Sequence, residues 1–187
     1  MSPITIVSLD SANYPKYRSK LIELYTLSFT EGEHAQHIPI EEIEKSLDDR
    51  MKIGLGLMAI QKSNVVGVVL WFSLENDSDF PFDKHKDINP AKTIYITDLM
   101  VDAQYRGQGF AQELLQHLLK TSQVKHYDDA VIRVWDKNIP AVSLYKKLGF
   151  KEIDIIFQTK LMIDTKEPFE MRKMYMHKKL QVVSNKS

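Results

Sequence analysis

The chain has 187 residues, 43% hydrophobic and 27% charged, a mix that fits one soluble globular domain and excludes disordered, collagenous and low-complexity classes. Its longest apolar stretch, residues 65–72, is far short of the ~20 residues that cross a bilayer, and no export signal follows Met1, so the expectation is a cytoplasmic protein without a membrane partner. The absence of cysteine removes disulfides, thiolate nucleophiles and Cys-ligated metals, and twenty-five Lys+Arg against twenty-five Asp+Glu argue against a nucleic-acid partner.

Residues 4–9 predict a short opening strand. Over residues 14–29, apolar positions Tyr17, Leu21, Leu24, Tyr25 and Phe29 recur at the spacing of one helix face. A polar stretch, residues 30–36, leads to a second helix from 40 to about 49, with Ile43 and Leu47 as its buried stripe. Residues 53–60 and 65–74 are rich in β-formers and flank the polar turn Lys62-Ser63-Asn64, predicting a hairpin. Residues 75–90 carry two prolines and four aspartates and predict an exposed loop. A strand over 93–101, a helix from 107 to about 125, a strand over 130–135 and a helix over 139–148 follow. Extended stretches at 150–163 and 169–180 precede a frayed tail, 181–187. Helices interleave with strands while hairpins forbid an all-parallel sheet. The expectation is a single α/β domain over residues 1–180, a mixed sheet with helices on both faces.

The chemistry concentrates after the strand over 93–101. There, Arg106, Gly107, Gln108 and Gly109 form a turn that opens a helix whose buried face holds Phe110, Leu114, Leu115 and Leu118. Glycines let the backbone approach a ligand closely, and first-turn amides without intrahelical acceptors make an anion site suited to a pyrophosphate. An ordinary strand–turn–helix bend needs glycine as well. A Rossmann dinucleotide turn fits poorly: Gln112 stands where its third glycine belongs, and residues 102–106 separate strand from glycine.

The segment Gln104-Tyr-Arg-Gly-Gln-Gly, directly after Asp98-Leu-Met-Val, resembles the acetyl-CoA pyrophosphate signature of the GNAT superfamily of N-acetyltransferases. Asn138-Ile-Pro-Ala-Val-Ser-Leu-Tyr-Lys-Lys-Leu-Gly-Phe resembles that superfamily's second motif, in order and at the expected distance. The resemblance implies a mixed sheet of about seven strands in which two central parallel strands, here 93–101 and 130–135, splay apart to admit acetyl-CoA. It implies backbone hydrogen bonds to the pantetheine from Met100 and Val101. It also implies amides from Arg106, Gly107, Gln108, Gly109, Phe110 and Ala111 around the pyrophosphate, with Asn138 as a further cofactor contact beside its evident N-cap role. The implied reaction is direct attack of a primary amine on the thioester. No metal is implied, and the family leaves a homodimer open.

Tyr145 falls on the family's tyrosine position for the general acid that protonates the departing thiolate. A phenol of pKa ~10 suits that task, although the inward stripe of its helix also accounts for Tyr145 as core. Asp98 occupies the acidic position before the family's Leu-x-Val and is the strand candidate for a base. Members often carry a glutamate slightly earlier, where this chain has Tyr95 and Thr97. Glu31, Glu33 and His34 border the acceptor region and are further base candidates. The spacing His34-x-x-His37 lacks the helix or distant ligand of a metal site. Residues 1–90 hold nine cations and fourteen acids, and residues 91–187 sixteen and eleven, so the neutral chain divides into halves of −5 and +5. An acidic acceptor half suits a small cationic amine. A non-catalytic acyl-CoA-binding module and a protein N-terminal or lysine acetyltransferase are the rival readings.

Overall fold

The computed structural model describes residues 4–31, 35–121, 124 and 126–180. Strand β1 (Thr5–Leu9) leads into helices α1 (Tyr14–Thr30) and α2 (Ile40–Ile53), then the hairpin β2 (Leu55–Gln61) and β3 (Asn64–Ser73). After a long connection come β4 (Thr93–Val101), α3 (Phe110–Leu118), β5 (Asp129–Trp135), α4 (Ile139–Lys147), β6 (Lys151–Leu161) and β7 (Pro168–Lys179). The strands form one seven-stranded sheet in the order β1-β2-β3-β4-β5-β7-β6. β4 and β5 pair in parallel and the other neighbours antiparallel, so the expected mixed α/β sheet is present.

Helices cover both faces. Ile43, Leu47 and Met51 of α2 pack with Leu21 and Leu24 of α1 against Met58, Val68 and Leu70. On the opposite face Phe110, Leu114, Leu115 and Leu118 of α3 meet Leu57, Val69, Ile94 and Ile132. Helix α2 runs past its expected end because Met51 continues the four-residue stripe. Gly54 then stops it: a Cβ there would stand 2.6 Å from the Trp71 carbonyl and 2.8 Å from that of Arg50. The β2–β3 hairpin closes through Lys62 and Ser63 at φ 47° and 70°, a tight turn whose twist matches that of the strands.

Two expectations change. Helix α3 is shorter than 107–125. Gly107 and Gly109, at φ +75° and +88°, lie outside helical geometry, so it begins at Phe110. At its end, Lys120 and Thr121 donate to the carbonyls three residues back, His117 and Leu118, tightening the last turn into a stop. Residues 75–90 are mostly exposed, as expected, but they fold down as a cover anchored by a few buried side chains. Phe80 and Ile88 are buried with Tyr95, Val131 and Tyr175 in a third core, and Phe80 meets the Tyr175 ring edge-on at 5.1 Å. The tail 181–187 lies outside the described residues. Among the described helices none is long and apolar enough to cross a membrane.

Candidate active site

The parallel pairing of β4 and β5 runs only from Thr93–Asp129 to Ile96–Ile132, after which the strands part. The separation coincides with a bulge on the other edge of β4. Leu70 faces Asp98 while Trp71 faces Ile96, leaving Thr97 without a partner. One extra residue reverses the side-chain alternation. Ile94 and Ile96 point into the α3 core, yet beyond the bulge it is Leu99 and Val101 that pack on that side. Asp98 and Met100 turn to the opposite face, where Met100 joins the α1–α2 core. The parted strands enclose a cleft of about 670 Å³ lined by Asp98, Leu99, Met100, Asn138 and Tyr145 from the candidate segments.

Tyr145 reaches the cleft from α4, its ring 6.2 Å from Phe150 and tilted edge-on. Its hydroxyl has no hydrogen-bond partner among the described residues. Burial, and then the negative charge of Asp98, raise its pKa above the ordinary phenol value. The side chain therefore stays a neutral proton donor at physiological pH. Asp98, its side chain 2% exposed, accepts a 2.7 Å hydrogen bond from the Thr97 hydroxyl and lies 3.4 Å from Arg50 Nε. Arg50 comes from the last turn of α2 and stacks over the Tyr25 ring; its Nη1 is buried without a partner. An aspartate held by these two groups orders the floor of the cleft and sets the field at Tyr145.

The turn before α3 presents donors. Among the described residues, none of the amides from Gly107 through Gln112 has an acceptor, and the first intrahelical bond is Glu113 N to the Gly109 carbonyl at 3.0 Å. Six successive free N–H groups at a helix N-terminus form a fitting cradle for a polyanion. A Cβ added at Gly107 or Gly109 would meet no protein atom within 4 Å, so the turn borders open space on that side. The contributions of Gln108, Phe110 and Ala111 are those amides: the Phe110 side chain is core, and Gln108 Nε2 returns to the Gln104 carbonyl. Arg106 donates through Nε to the Val101 carbonyl at 3.1 Å and approaches Glu31 at 3.9 Å.

The register decides which backbone groups of β4 border the gap. Asp102 N donates to the Val66 carbonyl, which makes Asp102–Val66 and, by alternation, Met100–Val68 the hydrogen-bonded pairs with β3. The backbone groups of Leu99 and Val101 therefore face the gap toward β5. The backbone of Met100 is thus engaged with β3 and its side chain lines the cleft, while the backbone groups turned to the gap are those of Leu99 and Val101. Asn138 caps α4, accepting from the Ala141 amide at 3.3 Å, and also lines the cleft.

Of the acids that gave the N-terminal half its charge, Glu31 and Asp77 line the cleft. Glu44 and Asp48 pair with Arg18 instead, and Asp49 pairs with Lys45 and Lys52, on the outer surface. Glu33 and His34 lie outside the described residues. Residues not singled out from sequence also meet here: Arg133 on β5, Lys160 on β6 and Lys173 on β7. Arg133 donates to Asp79 at 2.7 Å and to the Tyr175 hydroxyl at 2.9 Å, and that hydroxyl donates to Asp77 at 2.8 Å. A detectable signal for Lys173 is its place in the alternation Met171, Lys173, Tyr175, a lysine on a stripe otherwise buried.

The family model described as "Acetyltransferase (GNAT) family" matches residues 18–150. Among curated relatives, an N-acetylaspartate synthetase of Xenopus tropicalis is 27% identical over 99 residues, 53% of this chain and 31% of that protein. An N-alpha-acetyltransferase of Sulfurisphaera tokodaii is 36% identical over 63 residues, 33% of this chain and 38% of that protein. The chain thus spans well under half the length of these relatives. Among solved structures, an N-acetyltransferase from Staphylococcus aureus Mu50 superposes with a TM-score of 0.69 at 17% identity, covering 96% of this chain and 100% of that one. A Salmonella typhimurium protein solved with its cofactor acetyl-CoA gives 0.67 at 15% identity, covering 96% and 95%. The splayed parallel pair, the glycine turn with its free amides and a family match across most of the domain agree, and the chain belongs to the GNAT family of acetyltransferases.

Proposed function

We propose that this chain is an N-acetyltransferase that moves an acetyl group from acetyl-CoA to a primary amine by direct attack in a ternary complex. One observation carries the reading. A buried neutral phenol, Tyr145, lines the cleft opened where β4 and β5 part, and a run of free amides, Gly107 to Gln112, lies in the turn between β4 and α3.

When bound, acetyl-CoA supplies the activated thioester. The chain's residues do the rest. Amides of Gly107 to Gln112 hold the pyrophosphate, and the backbone edge of Leu99 and Val101 aligns the pantetheine. The amine nitrogen bonds to the acetyl carbon as the carbon–sulfur bond breaks. Tyr145 gives its proton to the leaving sulfur, and the amine's proton passes to solvent or to the phenolate. Asp98 acts on this transfer through its charge, which helps keep Tyr145 protonated. Calorimetric titration with acetyl-CoA, followed by a thiol-release screen over amines, polyamines and peptides, tests the proposal. Saturable binding with release for at least one amine supports it; failure of every amine to release CoA thiol overturns it.

A further inference from the structure

The charges inside the cleft do not match a cationic acceptor. Each acid that lines it already has an arginine: Glu31 lies 3.9 Å from Arg106, Asp77 3.7 Å from Arg133 and Asp98 3.4 Å from Arg50. Two lysines remain. Lys173 stands on β7 between Trp135 of β5 and Ile156 of β6, on the stripe of buried Met171 and Tyr175. Lys160 stands on the neighbouring strand β6. Among the described residues neither ammonium has an acid within ion-pair distance, and both are partly buried. Burial, then the charges of Lys160 and Arg133, pull Lys173 down to about 8. Burial and Arg133 lower Lys160 too, against weaker support from Asp79 and Glu42.

Two unpaired, partly desolvated cations facing one cavity are an unfavourable arrangement unless something anionic joins them. Lys160 also lines a second cavity of about 510 Å³, which shares Tyr25, Gln36 and Arg50 with the cleft and opens between α2 and β6. Glu42 also lines that second cavity and Lys173 does not, so Lys160 stands where the two cavities adjoin.

We propose that Lys160 and Lys173 form an anion-binding subsite that selects an acceptor amine bearing a carboxylate or phosphate group. This rests on the N-acetyltransfer reading and replaces a cationic acceptor with a zwitterionic one. Charge-assisted bonds to both ammoniums would satisfy them and fix the amine end relative to Tyr145.

The test compares matched amines on the full chain: β-alanine and other amino carboxylates, O-phosphoethanolamine, and the alkylamines that lack the anion. The expected result is kcat/KM about tenfold or more higher for an anion-bearing amine than for its neutral partner, and the preferred member tells carboxylate from phosphate. Lys173→Met and Lys160→Met should each lower that preference about tenfold, and Lys173→Arg should retain most of it. A wild-type enzyme that uses neutral amines equally well, or Met variants with unchanged preference, overturns the proposal. So does an equal loss of kcat for every amine in Lys173→Met, which would mark proton transfer instead. If no amine is acetylated, the N-acetyltransfer reading falls, and calorimetry with β-alanine and inorganic phosphate judges the subsite alone. Saturable binding lost in the double Met variant supports it; absence of binding to the wild type refutes it.

Discussion

Tyr145→Phe separates catalysis from packing at one atom. The hydroxyl has no described partner, so its removal orphans no donor or acceptor, and the ring keeps its edge-on contact with Phe150. Stability should shift by less than about 1 kcal/mol. A lost general acid costs about 10²–10⁴ in kcat, or about 2.7–5.4 kcal/mol at 1.36 kcal/mol per decade. The two magnitudes do not overlap, so Tm and kcat together distinguish the roles. The wild-type pH profile adds a second check. Burial and Asp98 raise the phenol above its ordinary value of ~10, so the acid form persists through neutral and mildly alkaline pH. Steady-state thiol release should show no alkaline limb from Tyr145 below about pH 10. Acetyl-CoA affinity, measured by calorimetry, should change little. An unchanged kcat, or a loss of rate matched by an equal loss of acetyl-CoA affinity, would refute the assignment.

Gly109→Glu should weaken acetyl-CoA binding more than about a hundredfold by calorimetry, since a carboxylate enters the amide cradle. Gly109→Ala meets no protein atom and carries only the strain of φ +88°, so its smaller loss isolates the charge effect; equal losses in both would refute the cradle. Phe80→Ala should cost about 3–5 kcal/mol in denaturant unfolding because its ring is buried against Tyr175, and a cost below about 1 kcal/mol would return residues 75–90 to the status of a loose loop. Lys173→Met should raise Tm at neutral pH, and the gain should shrink as pH rises from about 8 toward the ordinary lysine value of ~10.4. Below about 8 the lysine is charged in both states and its burial is fully unfavourable; above it the folded chain loses that proton before the unfolded chain does, so only the wild type gains. A Tm difference constant with pH would sink this account.

Much of the scaffold was legible because its signals are local. The three- and four-residue stripes of α1 and α2, the β-rich runs and the glycine turn each declare themselves within a few residues. The cleft's second half was not, because it is assembled across strands. Lys160 and Lys173 lie far in sequence from Asp98 and Tyr145, and only the order β4-β5-β7-β6 places them on one side. The acids of α2 misled for the complementary reason: composition counted Glu44, Asp48 and Asp49 toward the acceptor side, whereas helix periodicity turns them outward to Arg18, Lys45 and Lys52. Phe80 and Ile88 were hidden among aspartates and prolines, where no period of two or 3.6 could mark them as core.

The bulge at Thr97 ties these parts together. A regular strand would send Asp98 after Ile94 and Ile96 into the α3 core, an apolar environment with no counter-ion. The extra residue turns it to the face where Arg50 waits, and the same irregularity falls where β5 leaves β4. Unmet polar capacity then collects at that opening and in the turn after β4: Arg50 Nη1, the Tyr145 hydroxyl and the ammoniums of Lys160 and Lys173 in the cleft, and the amides of Gly107 to Gln112 in the turn. Elsewhere, buried polar groups close on one another, as Tyr175 does on Asp77 and His177 on Asp129 at 2.6 Å. Asp136 Oδ1 is an exception, buried without a partner outside the cleft lining, yet most of the open polar groups lie at the cleft or in the turn after β4, and binding energy concentrates there. An anionic cofactor on the amides and an anionic acceptor on the lysines would satisfy both sets while leaving Tyr145 its proton to give.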